Sequence, residues 1–536
     1  MKTEKLPFSE IDNIFAASLI KDGSREQHLF MAALLWASRQ GHLSLPAQEE
    51  ELLELFALNR EIASAILKGS REIPSELLDE KGLDLPRTPL CRFKHYYYLQ
   101  KNWVFETRFL KQLEKLLALK AEAFSASEEE DLTEEQNRAV AAALSLPFSL
   151  LCGGPGTGKT YTAARIVRAF RKKHKEARIA LAAPTGKAAK QLQLQLIKED
   201  IRVETLHALL EVHRESDFFS APSPVMADLL IVDECSMIDA RLFSRLLESL
   251  HQGAHLVLMG DPYQLPPVES GTLFADLVDV LKGGFSQHLT ELTRWLRSDR
   301  QEILRFAEAV KSGKAEEAWR LLSGSEEGAL HYLELGEGPS AFEAIWNLVS
   351  KRFPQPSTKP IDHAALWAEK ESCALLSCLR KGPFGVDQLN EMIAERFTSR
   401  MGREEHLAVP ILITRTDPEL GLYNGETGIL IRRFSGEGEY AIFGPAPFRE
   451  IPASRLPAYE YAYALSVHKS QGSEYEDVLL LVGPGSEYFG KEVIYTGATR
   501  SKKSLTILSR REVLESSLAR ASRKISALHA RLQKTP

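Results

Sequence analysis

The stretch "FSLLCGGPGTGKT", Phe148 to Thr160, begins as five residues of buried strand and ends in a glycine-rich loop closed by Lys159 and Thr160. The amphipathic run "YTAARIVRAF" follows it, so the order is strand, loop, helix. A P-loop requires that order. Glycine backbone N–H groups wrap phosphates at a helix N-terminus, the lysine reaches the β/γ oxygens, and the threonine hydroxyl ligates Mg²⁺. Gly153, Gly154, Pro155, Gly156, Thr157, Gly158, Lys159 and Thr160 are therefore the candidate nucleotide-binding residues, with Thr160 also on the metal. The bland alternative is a glycine-rich turn without nucleotide, and the flanking strand and helix disfavour it.

Working outward, short apolar runs "RIALAAP", "DLLIVDE" and "HLVLMGD" alternate with amphipathic stretches. That texture predicts a parallel sheet covered by helices. "LLIVDECSM" closes its strand on Asp233, suited to Mg²⁺ coordination, and Glu234, suited to polarise an attacking water. Together with the P-loop they predict phosphoryl transfer to water. The nearest string to a guanine-reading motif, "TKPID" at Thr358, has its Asp one position too far, which argues against a GTPase switch.

A second α/β region is expected from about residue 345 onward, with strands at "DVLLLVG" and "SLTILS". Within it, the run from Ala408 to Gly444 joins β-rich segments by glycine-containing turns and predicts a small antiparallel barrel, inserted at about 406–457. Residues 1–122 read as helical, with apolar Phe8, Ile11, Phe15 and Leu19 at helical spacing. The acidic segment 123–131 reads as a linker. The last stretch, "EVLESSLARASRKISALHARL", carries Leu514, Leu518, Ala521, Ile525, Leu528 and Leu532 in one stripe and predicts a single helix packed on its own domain. "RAFRKKHK" ends the P-loop helix, where cations suit the dipole, so it reads as a solvated face.

A chain of 536 residues is too long for one core and divides into about three or four domains. The longest apolar run, Leu29 to Ala37, is about half a bilayer span. The acidic N-terminus lacks a signal peptide's apolar core, so a cytoplasmic location and no membrane are expected. Five cysteines show no CxxC or Cys/His ligand spacing, against a disulfide framework or zinc site. A net charge of −6 argues against a generic polyanion binder yet leaves room for a local basic groove.

Further motifs complete an ordered set: "LTEEQNRAV" with Gln136, "APTGKAA", "TLHALL", "GDPYQLPPVESG" with Gln264, "LTELTRWLR" with Arg294, "HKSQGSE", and "VIYTGATRSKKSL" with Arg500. This set resembles superfamily 1 helicases of the 5′-to-3′ branch, and within them the RecD family, the alpha subunits of exodeoxyribonuclease V (RecBCD). "ASRQGHLSLP", "YYYLQKNWVFETRFL" and "LRKGPFGVDQLN" extend the resemblance over nearly the whole chain.

The resemblance implies an α/β architecture of two tandem RecA-like motor domains, 132–344 and 345–536, with an SH3-like barrel insertion and an α-helical N-terminal docking domain. It implies a DNA-dependent ATPase and helicase using ATP and Mg²⁺, in which Gln136 reads adenine and Gln264 senses the γ-phosphate. Arg294 and Arg500 would act as arginine fingers, and Gln471 and Gly472 would face ATP. Thr185, Lys187, Thr205, His207, His468 and Lys469 would lie along the DNA backbone, with Lys469 free to serve a phosphate on either side. Such contacts predict nonspecific, salt-sensitive binding to single-stranded DNA. Tyr423 is a weak candidate for base stacking, a core position in the barrel being the ordinary expectation, and "EVHRESDFFSAPSP" is where a wedge would sit.

As a subunit the chain would form a heterotrimer with beta (helicase–nuclease) and gamma subunits. No carboxylate cluster suggests a nuclease site of its own. A stand-alone helicase of this type, or a nonmotor ATP-gated DNA clamp, are the alternatives; intact Glu234, Arg294 and Arg500 argue against the clamp.

Overall fold

The computed structural model describes residues 7–56, 59–121, 130–196, 199, 201–267, 271–295, 301–324, 328–434, 436, 438–444, 446–521 and 524–533. The linker expected at 123–131 lies almost wholly outside them.

The P-loop strand Phe148–Gly153 belongs to a six-stranded, all-parallel sheet. Its strands run, in spatial order, Leu289–Leu292, Phe148–Gly153, His255–Gly260, Leu229–Val232, Ile179–Ala183 and Val203–Thr205. The strands His255–Gly260 and Leu229–Val232 are buried at every position. Continuous apolar runs of this kind belong in a sheet covered on both faces. Helices Glu134–Ser145 and Lys159–Lys173 cover one face, while Ala240–Glu248 and Phe274–Gly284 pack into the other.

The second sheet is also all parallel, in the order Leu330–Glu334, Ser501–Ser509, Tyr475–Val482, Cys373–Ser377 and Ala464–Ser466. Between its second and third strands in sequence lies the insertion. Its hydrogen-bonded order is Arg449–Pro452, Tyr440–Phe443, Thr427–Arg433, His406–Ile413 and Tyr459–Tyr461, antiparallel throughout. The expected barrel is thus a five-stranded antiparallel sheet whose first and last strands in that order share no ladder among the described pairs, and it extends to Tyr461.

The N-terminal segment is not purely helical. Helices Glu10–Leu19, Arg25–Arg39, Glu49–Phe56, Arg60–Arg71 and Gln100–Ala118 surround a four-stranded sheet of Ser44–Pro46, Tyr96–Leu99, Leu90–Phe93 and Leu78–Asp79. Tyr97 and Tyr98 are buried on opposite sides of that sheet, one in the N-terminal core and one against the first motor sheet.

The single C-terminal helix expected from the leucine stripe is also corrected. Helix Arg511–Ala519 ends, residues 524–527 are not helical, and Leu528–Leu532 forms a separate short helix. This strap leaves the second sheet and lies between the N-terminal segment and the first motor sheet. Leu43 N–H donates to Ile525 O at 2.9 Å, and Ser526 Oγ donates to Asp276. Leu528 and Leu532 enter the same core as Leu43 and Phe109. Arg531 pairs with Glu106, both nearly sealed from water, and lies 3.8 Å from the Trp103 ring centroid. Breaking such a buried pair by removing one partner costs about 3–5 kcal/mol. Tertiary burial of Leu528 and Leu532 outweighs the helical periodicity.

No helix among the described residues is long and apolar enough to cross a membrane.

Candidate nucleotide site and strand path

Parallel sheets present ligand sites at the carboxyl ends of their strands. In the first sheet the strand His255–Gly260 separates the P-loop strand from Leu229–Val232. The loop carrying Gln264 therefore emerges between the P-loop and the acidic pair. A cleft of about 630 Å³ gathers Gly154, Pro155, Gly156, Gly158, Lys159, Thr160, Asp233, Glu234 and Gln264 from the first sheet with Gly472 and Arg500 from the second. Gly153 and Thr157 shape the loop from behind it: Thr157 Oγ1 donates to Gly154 O at 2.8 Å.

Each side chain has a local reason to be there. Gly158 caps the helix Lys159–Lys173 at φ 90°, a left-handed conformation in which a Cβ would be strained. Lys159 Nζ donates to Gly153 O at 2.6 Å and Gly154 O at 3.2 Å, folding its charge over the loop mouth. Glu234 also adopts a positive φ, 53°, as few non-glycine residues do. Its N–H donates to Asp233 Oδ1 at 2.8 Å. Burial, then the Glu234 charge, push the Asp233 carboxyl up to about 6, against the pull of Lys159. A divalent cation would relieve that strain. The donor set of Thr160 hydroxyl and Asp233 carboxylate suits Mg²⁺, a hard cation that takes oxygen ligands.

Gln264 is 4% exposed and its side-chain oxygen has no hydrogen-bond partner. Arg500 is 3% exposed. Its Nε donates to Thr496 O at 3.1 Å and Nη1 to Ser473 O at 3.3 Å, while Nη2 is buried without a partner. Gly472, at φ 73°, brings the second domain against the first; a Cβ there would lie 3.4 Å from Ala188 Cβ.

Other expected residues stand elsewhere. Arg294 is exposed and does not line the cleft; its N–H lies 3.4 Å from Glu135 Oε2. Gln136 is 2% exposed, outside the cleft lining, and its Oε1 accepts from Thr133 N–H as part of a helix capping box, with Nε2 left unpartnered. Gln471 does not line the cleft either; its Nε2 donates to Leu265 O at 3.1 Å.

On the strand side, Thr185 and Thr205 each cap a short helix, accepting from Ala188 N–H and Ala208 N–H at 3.2 Å. His207 and Lys469 are exposed. Lys187 instead turns toward the second sheet, 6.0 Å from the Tyr475 ring centroid, and burial lowers its pKa. Burial also pushes His468 down to about 4, so the ring is neutral at pH 7 and offers a phosphate no charge. Tyr423, expected in the barrel core, is 51% exposed and packs over Gly186, beside Thr185. Its loop is anchored to the first domain, because Lys190 Nζ donates to Glu426 Oε1 and to Gly444 O. The wedge candidate 211–224 is held down: Arg108 donates to Phe218 O, Arg245 to Ser220 O, and Arg241 to Glu215.

Sequence reasoning passed over Tyr495 and Thr496, which bond to the Gln264 loop across the cleft. The available signal was two hydroxyl side chains at the end of a buried helix, in the same motif as Arg500.

A family model for an AAA domain matches residues 131–334, and one for a UvrD-like helicase C-terminal domain matches 461–508. The chain is 32% identical to the RecBCD enzyme subunit RecD of Mycobacterium tuberculosis (strain ATCC 25618 / H37Rv), covering 75% of this chain and 73% of that protein. It is 26% identical to that of Buchnera aphidicola subsp. Acyrthosiphon pisum over 98% of this chain and 99% of the relative. The ATP-dependent RecD2 DNA helicase of Deinococcus radiodurans is 28% identical over 69% of this chain and 48% of its own length. Among solved structures, Pif1 helicase from Bacteroides in complex with ADP-AlF3 and ssDNA aligns with a TM-score of 0.40 at 15% identity, over 73% of this chain and 94% of that one.

Proposed function

The chain belongs to the RecD family, and on that premise we propose that it is an ATP-driven 5′-to-3′ DNA helicase. It would work as the alpha subunit of a RecBCD-type helicase–nuclease in the cytoplasm, beside beta and gamma subunits that supply DNA cutting, in double-strand break repair and recombination. Its units would be a docking segment at 1–122 and two motor domains, the second starting earlier than the boundary at 345 expected from the sequence, because Leu330–Glu334 pairs with Ser501–Ser509 and Phe306 packs in the second sheet's core.

One observation carries this reading: the cleft joins the P-loop, acidic pair and Gln264 of one sheet to Gly472 and Arg500 of the other. In it the loop N–H groups and Lys159 hold the triphosphate. Glu234 takes the proton of a water aligned on the γ-phosphorus, and Gln264 orients that water. Arg500 Nη2 meets the charge that gathers on the transferring phosphoryl group. Thr160 and Asp233 would hold Mg²⁺, which offsets the charge of the phosphates. Because both domains touch one nucleotide, ATP favours a closed cleft and hydrolysis releases it, and strand contacts that differ between the two states give directed movement. Thr185, Thr205, His207, Lys469 and Tyr423 are the residues proposed to track the single strand. The helix Gly186–Gln195 capped by Thr185 still offers its remaining N-terminal N–H groups to phosphates.

The test is ATP hydrolysis by the full chain with and without single-stranded DNA, using Lys159→Gln as the blank, then unwinding of a 5′-tailed against a 3′-tailed duplex. DNA-stimulated hydrolysis lost in the blank, with unwinding of the 5′-tailed substrate only, is expected. Nucleotide binding without hydrolysis, alone or with candidate nuclease subunits co-expressed, would refute the motor and favour an ATP-gated clamp.

A further inference from the structure

The loop that carries Gln264 does not end at the cleft. Leu265, the next residue, is 1% exposed and sits in the core of the second sheet with Phe306, Val467 and Ala498. Both its backbone groups are claimed from that side. Its N–H donates to Thr496 Oγ1 at 2.8 Å, and its C=O accepts from Gln471 Nε2 at 3.1 Å. A third bond lies alongside: Tyr495 Oη donates to Asp261 Oδ2 at 2.8 Å, with both residues nearly fully buried. Three side chains of the second domain thus grip one loop of the first.

Thr496 differs from the other two because it also faces Arg500. Its hydroxyl accepts from the residue after Gln264, and its carbonyl accepts from Arg500 Nε at 3.1 Å. The residue is 0% exposed, so neither bond is shared with solvent. Resting on the reading of the cleft as an ATPase site, we propose that Thr496 is a positioning residue that fixes the separation of Gln264 and Arg500 across the cleft. Gln264 comes from one rigid sheet and Arg500 from the other, and Thr496 connects them through two hydrogen bonds. The hydroxyl is the exchangeable part of this link: valine fills the same space but leaves the Leu265 N–H without an acceptor in a buried place. A slip of about 1 Å in such a loop costs up to about 100-fold in rate while leaving ground-state binding almost untouched.

The experiment is steady-state phosphate release by the full chain under saturating single-stranded DNA with ATP titrated, on wild type, Thr496→Val, Thr496→Ser, Gln264→Ala and the double variant Thr496→Val/Gln264→Ala. Expected are a roughly 10- to 100-fold fall in kcat for the valine variant at a near-constant KM for ATP, recovery to within about threefold by serine, and no further loss when valine is added to Gln264→Ala. Should the valine variant not fold, Tyr495→Phe reads the same grip, with a smaller kcat fall at constant KM expected. Wild-type rates in the valine or phenylalanine variant overturn the proposal alone, as do equal losses in valine and serine, or independent, multiplying losses in the double variant. A wild-type chain that hydrolyses no ATP overturns the reading of the cleft, and the proposal with it.

Discussion

Replacing Arg500 with alanine isolates what one guanidinium contributes. Two of its three nitrogens are engaged by main-chain carbonyls, and only Nη2 is left for a ligand. The side chain is therefore held in place before nucleotide arrives, and it can offer one charge-assisted bond rather than a bidentate pair. Arginine fingers contribute about 10³–10⁵ in rate. A single donor belongs at the lower end, so kcat should fall about 10³-fold, or roughly 4 kcal/mol of barrier. Affinity for ATP should change much less, because the charge Arg500 meets develops in the transition state. Thr496 O keeps the Thr499 hydroxyl as a donor at 3.1 Å, so the main cost is the loss at Ser473 O, about 1 kcal/mol, which appears in thermal melting and not in kcat. Lysine should rescue little, since an ammonium cannot satisfy Thr496 O and Ser473 O and still project into the cleft. Phosphate release at saturating DNA and binding of a fluorescent ATP analogue separate the two effects. A variant within tenfold of wild-type kcat would refute this assignment of Arg500.

Tyr423→Ala should weaken single-stranded DNA binding by about 1–3 kcal/mol, the range for one stacked base, without changing the slope of affinity against salt; fluorescence anisotropy at several salt concentrations checks it, and unchanged affinity would remove Tyr423 from the strand path. Glu106 is fully buried, and burial raises its carboxyl from an ordinary 4.5 to about 7 despite the neighbouring Arg531. The folded chain then holds a proton that the unfolded chain releases, so stability falls by about 3 kcal/mol as pH rises from about 4.5 through 7. Glu106→Gln should flatten that part of a melting-temperature profile, and an unaltered slope would count against the shift.

The nucleotide side of the cleft was legible because its chemistry is contiguous. A strand, five loop residues and a helix start fix Lys159 and Thr160 with no help from elsewhere in the chain. Asp233 and Glu234 follow from one buried strand. Arg294 and Arg500 look alike in sequence, yet one stands on an exposed loop after the edge strand and the other at the end of a helix that faces the cleft. Nothing local to either motif carries that difference. The N-terminal sheet escaped notice because Ser44–Pro46 and Tyr96–Leu99 span three and four residues, too short for alternation to show. The motif places Lys187 among DNA contacts, but its direction depends on Tyr475, almost three hundred residues away in the fold's other half. The C-terminal stripe misled for the same reason. Its leucines are apolar at helical spacing because they must be buried, but Leu514 and Leu518 enter the second domain's core, while Leu528 and Leu532 are buried between Phe109 of the N-terminal segment and the helix Phe274–Gly284 of the first motor domain.

That strap has a consequence for how the protein is made. Leu43 bonds to Ile525, and Arg531 pairs with Glu106, so the seam beside the first motor domain joins residues 425 or more positions apart in the chain. Residues of the N-terminal segment leave the ribosome tens of seconds before their partners, at about 5–20 residues per second. Through that interval the surface that later receives Leu528 and Leu532 stands open to water. The joint therefore closes late: the N-terminal segment and first motor domain are synthesised early, and the helix Leu528–Leu532 seals the seam between them only several hundred residues later.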